Sequence, residues 1–211
     1  MGRLPDLITG AERRAVRAAA RLLAAGGVVV YPTETLYALG VDACNAPALQ
    51  RLIALKAREP GKPIAVLVSE RSMVHEIVEE VSGGAAALMR RFWPGPLTIV
   101  LRARPTVSEM LTAESGGIGV RLSSHPLATE LVRLLGRPVT APSANPAGSR
   151  PPACVEDARA YFGARVEDYL DGGRLPGEPP STVVDMRDDL RIIRAGAVPA
   201  DALRACLHEA A

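Results

Sequence analysis

The order of apolar and polar positions lays helices and strands alternately along the chain. Thr9-Gly10-Ala11-Glu12 has the spacing of a capping box, in which the threonine hydroxyl accepts from the N3 amide and the glutamate reaches back to the cap. Val16, Ala19, Ala20 and Leu23 follow on one face at helical spacing, which predicts a helix over 11–25. Gly26-Gly27 ends it, and the β-branched run Val28-Val29-Val30-Tyr31 reads as a short buried strand. The same reading predicts helices over 47–56, 74–80, 85–92, 126–135, 155–162 and 199–208. Strands are predicted over 64–68, 97–101, 118–122, 138–141, 181–185 and 190–194. No linker, repeat or low-complexity stretch divides the series, so the expectation is a single α/β domain over 1–211.

Composition narrows where chemistry can sit. The 211 residues are 48% hydrophobic and 23% charged, enough apolar content to offset chain entropy in a globular fold. With Gly 19 and Pro 18 the chain must turn often, which points to loops as the carriers of function. Lys+Arg 25 against Asp+Glu 23 leaves +2, so no overall basic excess argues for nucleic acid, and 3% aromatic residues leave little for base stacking. Cys44, Cys154 and Cys206 are odd in number and never form C-x-x-C, against a disulfide framework or structural zinc and in favour of a reducing, cytoplasmic setting. Neither a leader pattern nor an apolar stretch of the ~18 residues a membrane span needs is found, so no membrane association is expected.

Common catalytic motifs are missing. The P-loop, G-x-G-x-x-G, G-x-S-x-G and S-x-x-K do not occur. His75-Glu76 begins like a zinc helix, but Glu79 stands where the second histidine belongs, so no metal site is expected. His125 and His208 read as surface or capping residues.

What remains are four loop clusters next to predicted strand ends. Tyr31-Pro32-Thr33-Glu34-Thr35-Leu36-Tyr37 offers hydroxyls beside a proline-fixed turn, suited to a small polar ligand. From Arg51 to Lys62 lie four basic residues and one acidic, and Lys56 with Arg58 supplies a point charge and a planar fork for phosphate. In 141–150, Ser143 and Asn145 can donate to phosphate or ribose oxygens. The fourth places Ser181-Thr182 near Arg194-Ala195-Gly196. Separately, Arg90, Arg91, Arg102 and Arg104 surround Trp93 with no acidic residue between 90 and 104, a patch that could meet RNA.

Taken in order, Pro32-Thr33-Glu34-Thr35-Leu36-Tyr37, Lys56-Ala57-Arg58, Lys62-Pro63, Pro94-Gly95-Pro96-Leu97-Thr98, Arg121, Ser143-Ala144-Asn145, Ser181 to Asp185 and Arg194-Ala195-Gly196 resemble the YrdC-like family of threonylcarbamoyl-AMP synthases. The set spans nearly the whole chain. The resemblance implies a twisted, open mixed sheet with flanking helices and a cationic concave face, in the short form without an extra C-terminal domain. It implies that L-threonine, bicarbonate or CO2, and ATP with Mg²⁺ on its phosphates give threonylcarbamoyl-adenylate and pyrophosphate. The product would pass to a transferase complex that makes threonylcarbamoyladenosine in tRNA. By the same resemblance Lys56 and Arg58 are catalytic and bind ATP together with Ser143, Asn145 and Arg194, while Thr33 or Thr35, Arg121 and Ser181 hold threonine. The other readings are a carbamoyl-adenylate-forming enzyme of the same fold and a module with weak RNA or tRNA binding. Lys56→Ala or Arg58→Ala is expected to abolish threonine-dependent pyrophosphate release while the chain stays folded; unchanged turnover in both variants would remove the assignment.

Overall fold

The computed structural model describes residues 8–57, 61–113, 115–177 and 179–210. Helix α1 (Gly10–Ala24) begins with the expected box: Thr9 Oγ1 accepts from Glu12 N at 3.2 Å, and Thr9 N donates to Glu12 Oε2 at 2.6 Å. Its buried residues are Val16, Ala19, Ala20 and Leu23, the predicted face, and they pack on α6 (Pro126–Leu135). His125 caps α6 by accepting the Leu127 amide on Nδ1 at 3.3 Å, and burial pulls its imidazole pKa down.

The single open sheet that the resemblance implies is two open sheets. Strands β1 (Val29–Pro32) and β2 (Tyr37–Gly40) form an antiparallel hairpin, and β7 (Asp168–Tyr169) adds in parallel to β1. The second sheet runs β6-β3-β5-β4-β8-β9, from β3 (Val66–Leu67), β4 (Leu97–Arg102), β5 (Gly117–Arg121), β6 (Val139–Thr140), β8 (Thr182–Asp185) and β9 (Arg191–Arg194). Pairs β3/β5 and β4/β8 are parallel; β3/β6, β4/β5 and β8/β9 are antiparallel. Isolated bridges Ala38 to Ser143 and Asp42 to Val139 join the two sheets. Both sheets are open and mixed, and helices flank them, in keeping with the expected α/β class.

Helix α2 (Ala46–Lys56) starts where Asn45 Oδ1 accepts from Ala48 N at 3.0 Å. Helix α3 (Val74–Ile77) is shorter than its pattern, because Val78 turns extended to bridge Ala103 and Glu79 N donates to Arg102 O. Helix α4 (Gly83–Phe92) packs on α8 (Ala200–Ala210), and α7 (Val155–Phe162) keeps its predicted bounds. Strands β2 and β7 and helix α5 (Glu109–Thr112) were not foreseen; each has four residues or fewer, too few for a period to register.

Along β4 and β5 the side chains alternate by strand geometry. Leu97, Ile99, Leu101, Ile118 and Val120 enter the core, while Thr98, Val100, Gly119 and Arg121 face the opposite side. That second face is the floor of the site.

Beyond it, at the end of β8, Asp185 gathers an ion-pair cluster. Its carboxylate accepts from Arg187 Nε and Nη2 at 3.0 and 2.7 Å, from Arg187 N at 3.1 Å and from Arg191 Nη2 at 2.9 Å. The Arg187 guanidinium above all holds the Asp185 pKa well below the usual carboxylate range. A depressed native pKa stabilises the fold above the ordinary aspartate value of about 3.9 and loses that contribution as pH falls through the native value. Asp185→Asn should therefore cost about 2 kcal/mol in denaturant unfolding at pH 7, with the deficit shrinking on acidification. A deficit constant down to pH 2 would contradict this.

Candidate active site

A cavity of about 630 Å³ lies on the open face of the six-stranded sheet, under the β1–β2 turn and the segments 141–153 and 174–177. Its floor carries Thr98, Gly119, Arg121 and Ser181. A Cβ at Gly119 would stand 3.2 Å from both Ala65 Cβ and Thr98 Cγ2, so the glycine keeps the floor low. Among the described residues the lining has four arginines and no carboxylate.

The β1–β2 turn is closed by its own threonine. Thr33 Oγ1 donates to Leu36 O at 2.7 Å and accepts from the Thr35 and Leu36 amides, and it lies 3.2 Å from Thr35 Oγ1. Both threonines are buried and both line the cavity. Arg121, at the end of β5, donates from Nη2 to Thr35 Oγ1 at 3.3 Å and pairs with Glu34 Oε1 at 2.7 Å. Ser123 Oγ donates to the other oxygen of Glu34. Turn and strand are thus locked by an ion pair whose partners are 8% and 15% exposed, which repays part of the desolvation of the guanidinium.

Across the floor, Arg194 donates to Ser181 O from Nη2 at 2.8 Å and to Ser181 Oγ at 3.0 Å, and Ser181 Oγ lies 3.3 Å from Thr98 Oγ1. Arg194 reaches this side through a β-bulge. Val183 pairs with Arg194 and Val184 with Ile192, leaving Ile193 as an extra residue, so Ile193 and Arg194 both line the cavity. At Gly196 a Cβ would lie 2.2 Å from Pro180 O, a contact only glycine avoids. Burial first, and then repulsion from Arg121, lowers the Arg194 pKa. Two like charges turned toward one space are relieved by an anion placed between them.

The two remaining motifs meet at the wall. Lys56, the last residue of α2, is buried and donates from Nζ to Asn145 O at 2.7 Å and to Ser143 O, while Ala147 N donates to Lys56 O at 2.8 Å. Asn145 Nδ2 donates to Pro146 O at 3.0 Å and Ser149 O at 2.8 Å, and its buried Oδ1 has no hydrogen-bond partner among the described residues. In this conformation the amide donors expected to reach a phosphate or ribose are used within the loop. Ser143 lines the cavity, whereas Lys56 and Asn145 stand behind it. Arg58 lies outside the described residues.

Thr33, Thr35, Arg121, Ser143, Ser181 and Arg194 are therefore brought to one cavity. Sequence reasoning assigned no role to Glu34, Ser123, Arg150 or Arg174. Only the lone acid inside the Thr33–Thr35 turn was a usable signal, since a carboxylate there needs a cation. The Arg90–Arg104 patch lacks its aromatic platform: Trp93 is buried with Nε1 donating to Leu97 O at 2.7 Å, Arg102 pairs with Asp188, and Arg104 Nε bonds His75 O. No group of three or more His, Cys, Asp or Glu is placed to hold a metal among the described residues, and no described helix is long and apolar enough to cross a membrane.

The family model described as telomere recombination, Sua5/YciO/YrdC, matches residues 21–196. Threonylcarbamoyl-AMP synthase of Bacillus subtilis is 34% identical over 90% of this chain and 55% of its own length. That of Thiobacillus denitrificans is 39% identical over 81% of this chain and 89% of its own. The crystal structure of Pyrococcus abyssi Sua5 complexed with L-threonine superposes with a TM-score of 0.89 at 31% identity, covering 94% of this chain and 58% of that one. The chain thus spans little more than half the length of the Bacillus and Pyrococcus proteins. With the match running from α1 through Gly196 and the same fold beneath it, the chain belongs to the Sua5/YciO/YrdC family.

Proposed function

We propose that this chain, working as one unit over 1–211, condenses L-threonine, bicarbonate or CO2, and ATP into threonylcarbamoyl-adenylate and pyrophosphate, and that the adenylate serves a tRNA-modifying transferase in the cytoplasm. The observation that carries the reading is the cavity floor, where Arg121 and Arg194 turn toward one space beside the hydroxyls of Thr33, Thr35 and Ser181. Its support from outside is the L-threonine bound by the Pyrococcus relative of the same fold.

The residue types suit this reaction. Arg121, oriented by Glu34, takes the threonine carboxylate, and Thr33 or Thr35 with Ser181 takes its amine and hydroxyl end. Addition of the amine to bicarbonate forms a C–N bond and releases water. A carbamate oxygen then attacks the α-phosphorus of ATP; the new P–O bond forms as the α–β phosphoanhydride breaks, and its electron pair leaves on pyrophosphate. Because the carbamate is already anionic, the step calls for positioning and charge stabilisation rather than a general base. Arg194 and Ser143 face the nucleotide, Lys56 and Asn145 act through the loop they hold, and the family resemblance alone gives Arg58 a nucleotide-binding role. The described lining has hydroxyls but no carboxylate, so a resident Mg²⁺ does not fit these residues, and the metal belongs with the phosphates of ATP.

The direct test is pyrophosphate release from ATP and bicarbonate with and without L-threonine; release that ignores threonine overturns the reading. Arg121→Ala would leave the partly buried Glu34 carboxylate without its cation, so Arg121→Lys is the informative variant: it keeps the charge, loses the fork and should raise the threonine KM about 30-fold, near 2 kcal/mol. The loop role of Lys56 predicts a split. Lys56→Met removes the bonds to Ser143 O and Asn145 O and should lower stability by about 3 kcal/mol, whereas Ser143→Ala should leave unfolding within about 0.5 kcal/mol of the parent and lower turnover. Equal stability of the two variants would refute that division of labour.

A further inference from the structure

Two of the four lining arginines are accounted for at the floor: Arg121 pairs with Glu34 and Arg194 bonds Ser181. The other two, Arg150 and Arg174, stand exposed at the rim, and neither guanidinium has a hydrogen-bond or ion-pair partner among the described residues. Unpaired arginines on a surface are ordinary. These differ in that each projects from backbone pinned on both sides of the same opening.

Tyr161 Oη donates to Arg150 O at 3.1 Å, and two residues on Tyr37 N donates to Pro152 O at 3.1 Å. Around Arg174, Tyr37 Oη donates to Gly173 O at 2.8 Å and accepts from Gly172 N at 3.0 Å, and Leu175 N donates to Ala153 O at 2.8 Å. Gly177 N donates to Thr35 O at 2.9 Å, tying the same segment to the β1–β2 turn. Tyr37 is committed to this anchoring; burial above all pushes its phenol pKa up to about 12. The backbone bearing both cations is fixed, while their forks are left to a ligand.

From this arrangement we infer that Arg150 and Arg174 form an anion subsite at the rim that takes the β- and γ-phosphates of the nucleotide and holds pyrophosphate as it leaves. The inference rests on the adenylate-forming reading above. Its ligand class follows from position and charge. Arg121 and Arg194 serve the floor, so the group that must depart belongs nearer the opening, and Arg150 shares its loop with Ser143, which lines the wall. A planar fork matches terminal phosphate oxygens, and two such forks with no described carboxylate in the lining suit a ligand of several negative charges. A cavity of about 630 Å³ admits a triphosphate chain but not a nucleic-acid duplex.

The experiment uses inorganic pyrophosphate as the probe. Its affinity is measured by calorimetry for the parent chain, Arg150→Gln, Arg174→Gln and the double variant, with Arg21→Gln on α1 as a control for net charge and circular dichroism as a check on folding. Each single variant should weaken pyrophosphate about fivefold and the double variant at least tenfold, while AMP and L-threonine affinities stay within about twofold and Arg21→Gln changes nothing. Steady-state assays should show the ATP KM rising and product inhibition by pyrophosphate weakening in step. Pyrophosphate affinity unchanged in the double variant, no binding by the parent, or a matching loss of AMP and threonine binding would each overturn the subsite. A loss of tRNA binding with pyrophosphate binding intact would overturn it in favour of an RNA contact. If pyrophosphate binding depends on both arginines but the parent releases none from ATP and threonine, the subsite stands and the adenylate-forming reading falls.

Discussion

A guanidinium almost cut off from water is tolerated only against an opposite charge, and at the end of β5 that charge comes from the other sheet. Arg121 belongs to the six-stranded sheet and Glu34 to the hairpin of the three-stranded one, so their ion pair closes the angle between the two sheets. The backbone bridges from Ala38 and Asp42 do the same work along the edge. The cavity is the space left between sheets joined at these points. Its depth depends on the alternation along β4 and β5, which sends leucine, isoleucine and valine one way and threonine, glycine and arginine the other.

How much of this was legible in the sequence varies with the range of the forces involved. Local patterns sufficed for α1, whose cap and buried face were both readable, and for α6 and α7, whose bounds coincide with the structure. They failed for β2 and β7, whose strand character comes from partners far along the chain rather than from their own few residues. Of the candidate site, Arg194 was legible as a cation near a strand end, and the resemblance made Arg121 and the order of the loops legible. The partner of Arg121 was not, because nothing in a run of turn residues says that its one acid will face a strand more than eighty positions away.

Lys56 is the clearest case of a candidate residue whose contacts were unforeseen. A lysine beside an arginine at a helix end suggests a phosphate grip, and its charge was the only property visible from the sequence. In the fold the ammonium is directed at two loop carbonyls, so the cation organises the backbone that carries Ser143. Distance in sequence hid this: the interaction spans 87 and 89 residues, and backbone carbonyls leave no trace in the identity of a side chain.

The extra residue in β9 reaches further than the aim of Arg194. With strict alternation onward from the Val184–Ile192 pair, Arg194 would fall on the face away from the cavity; the bulge takes up Ile193 and keeps Arg194 opposite Val183 on the cavity side. But β9 is also the outermost strand of its sheet, a row of unpaired backbone groups that another chain could extend. A bulge interrupts the regular spacing that such an intruder would need, and the arginines at both ends of β9 add like charges along the edge. The bulge therefore does two things at once: it lets Arg194 face the cavity in spite of the extra residue, and it breaks the regular edge that another strand would need.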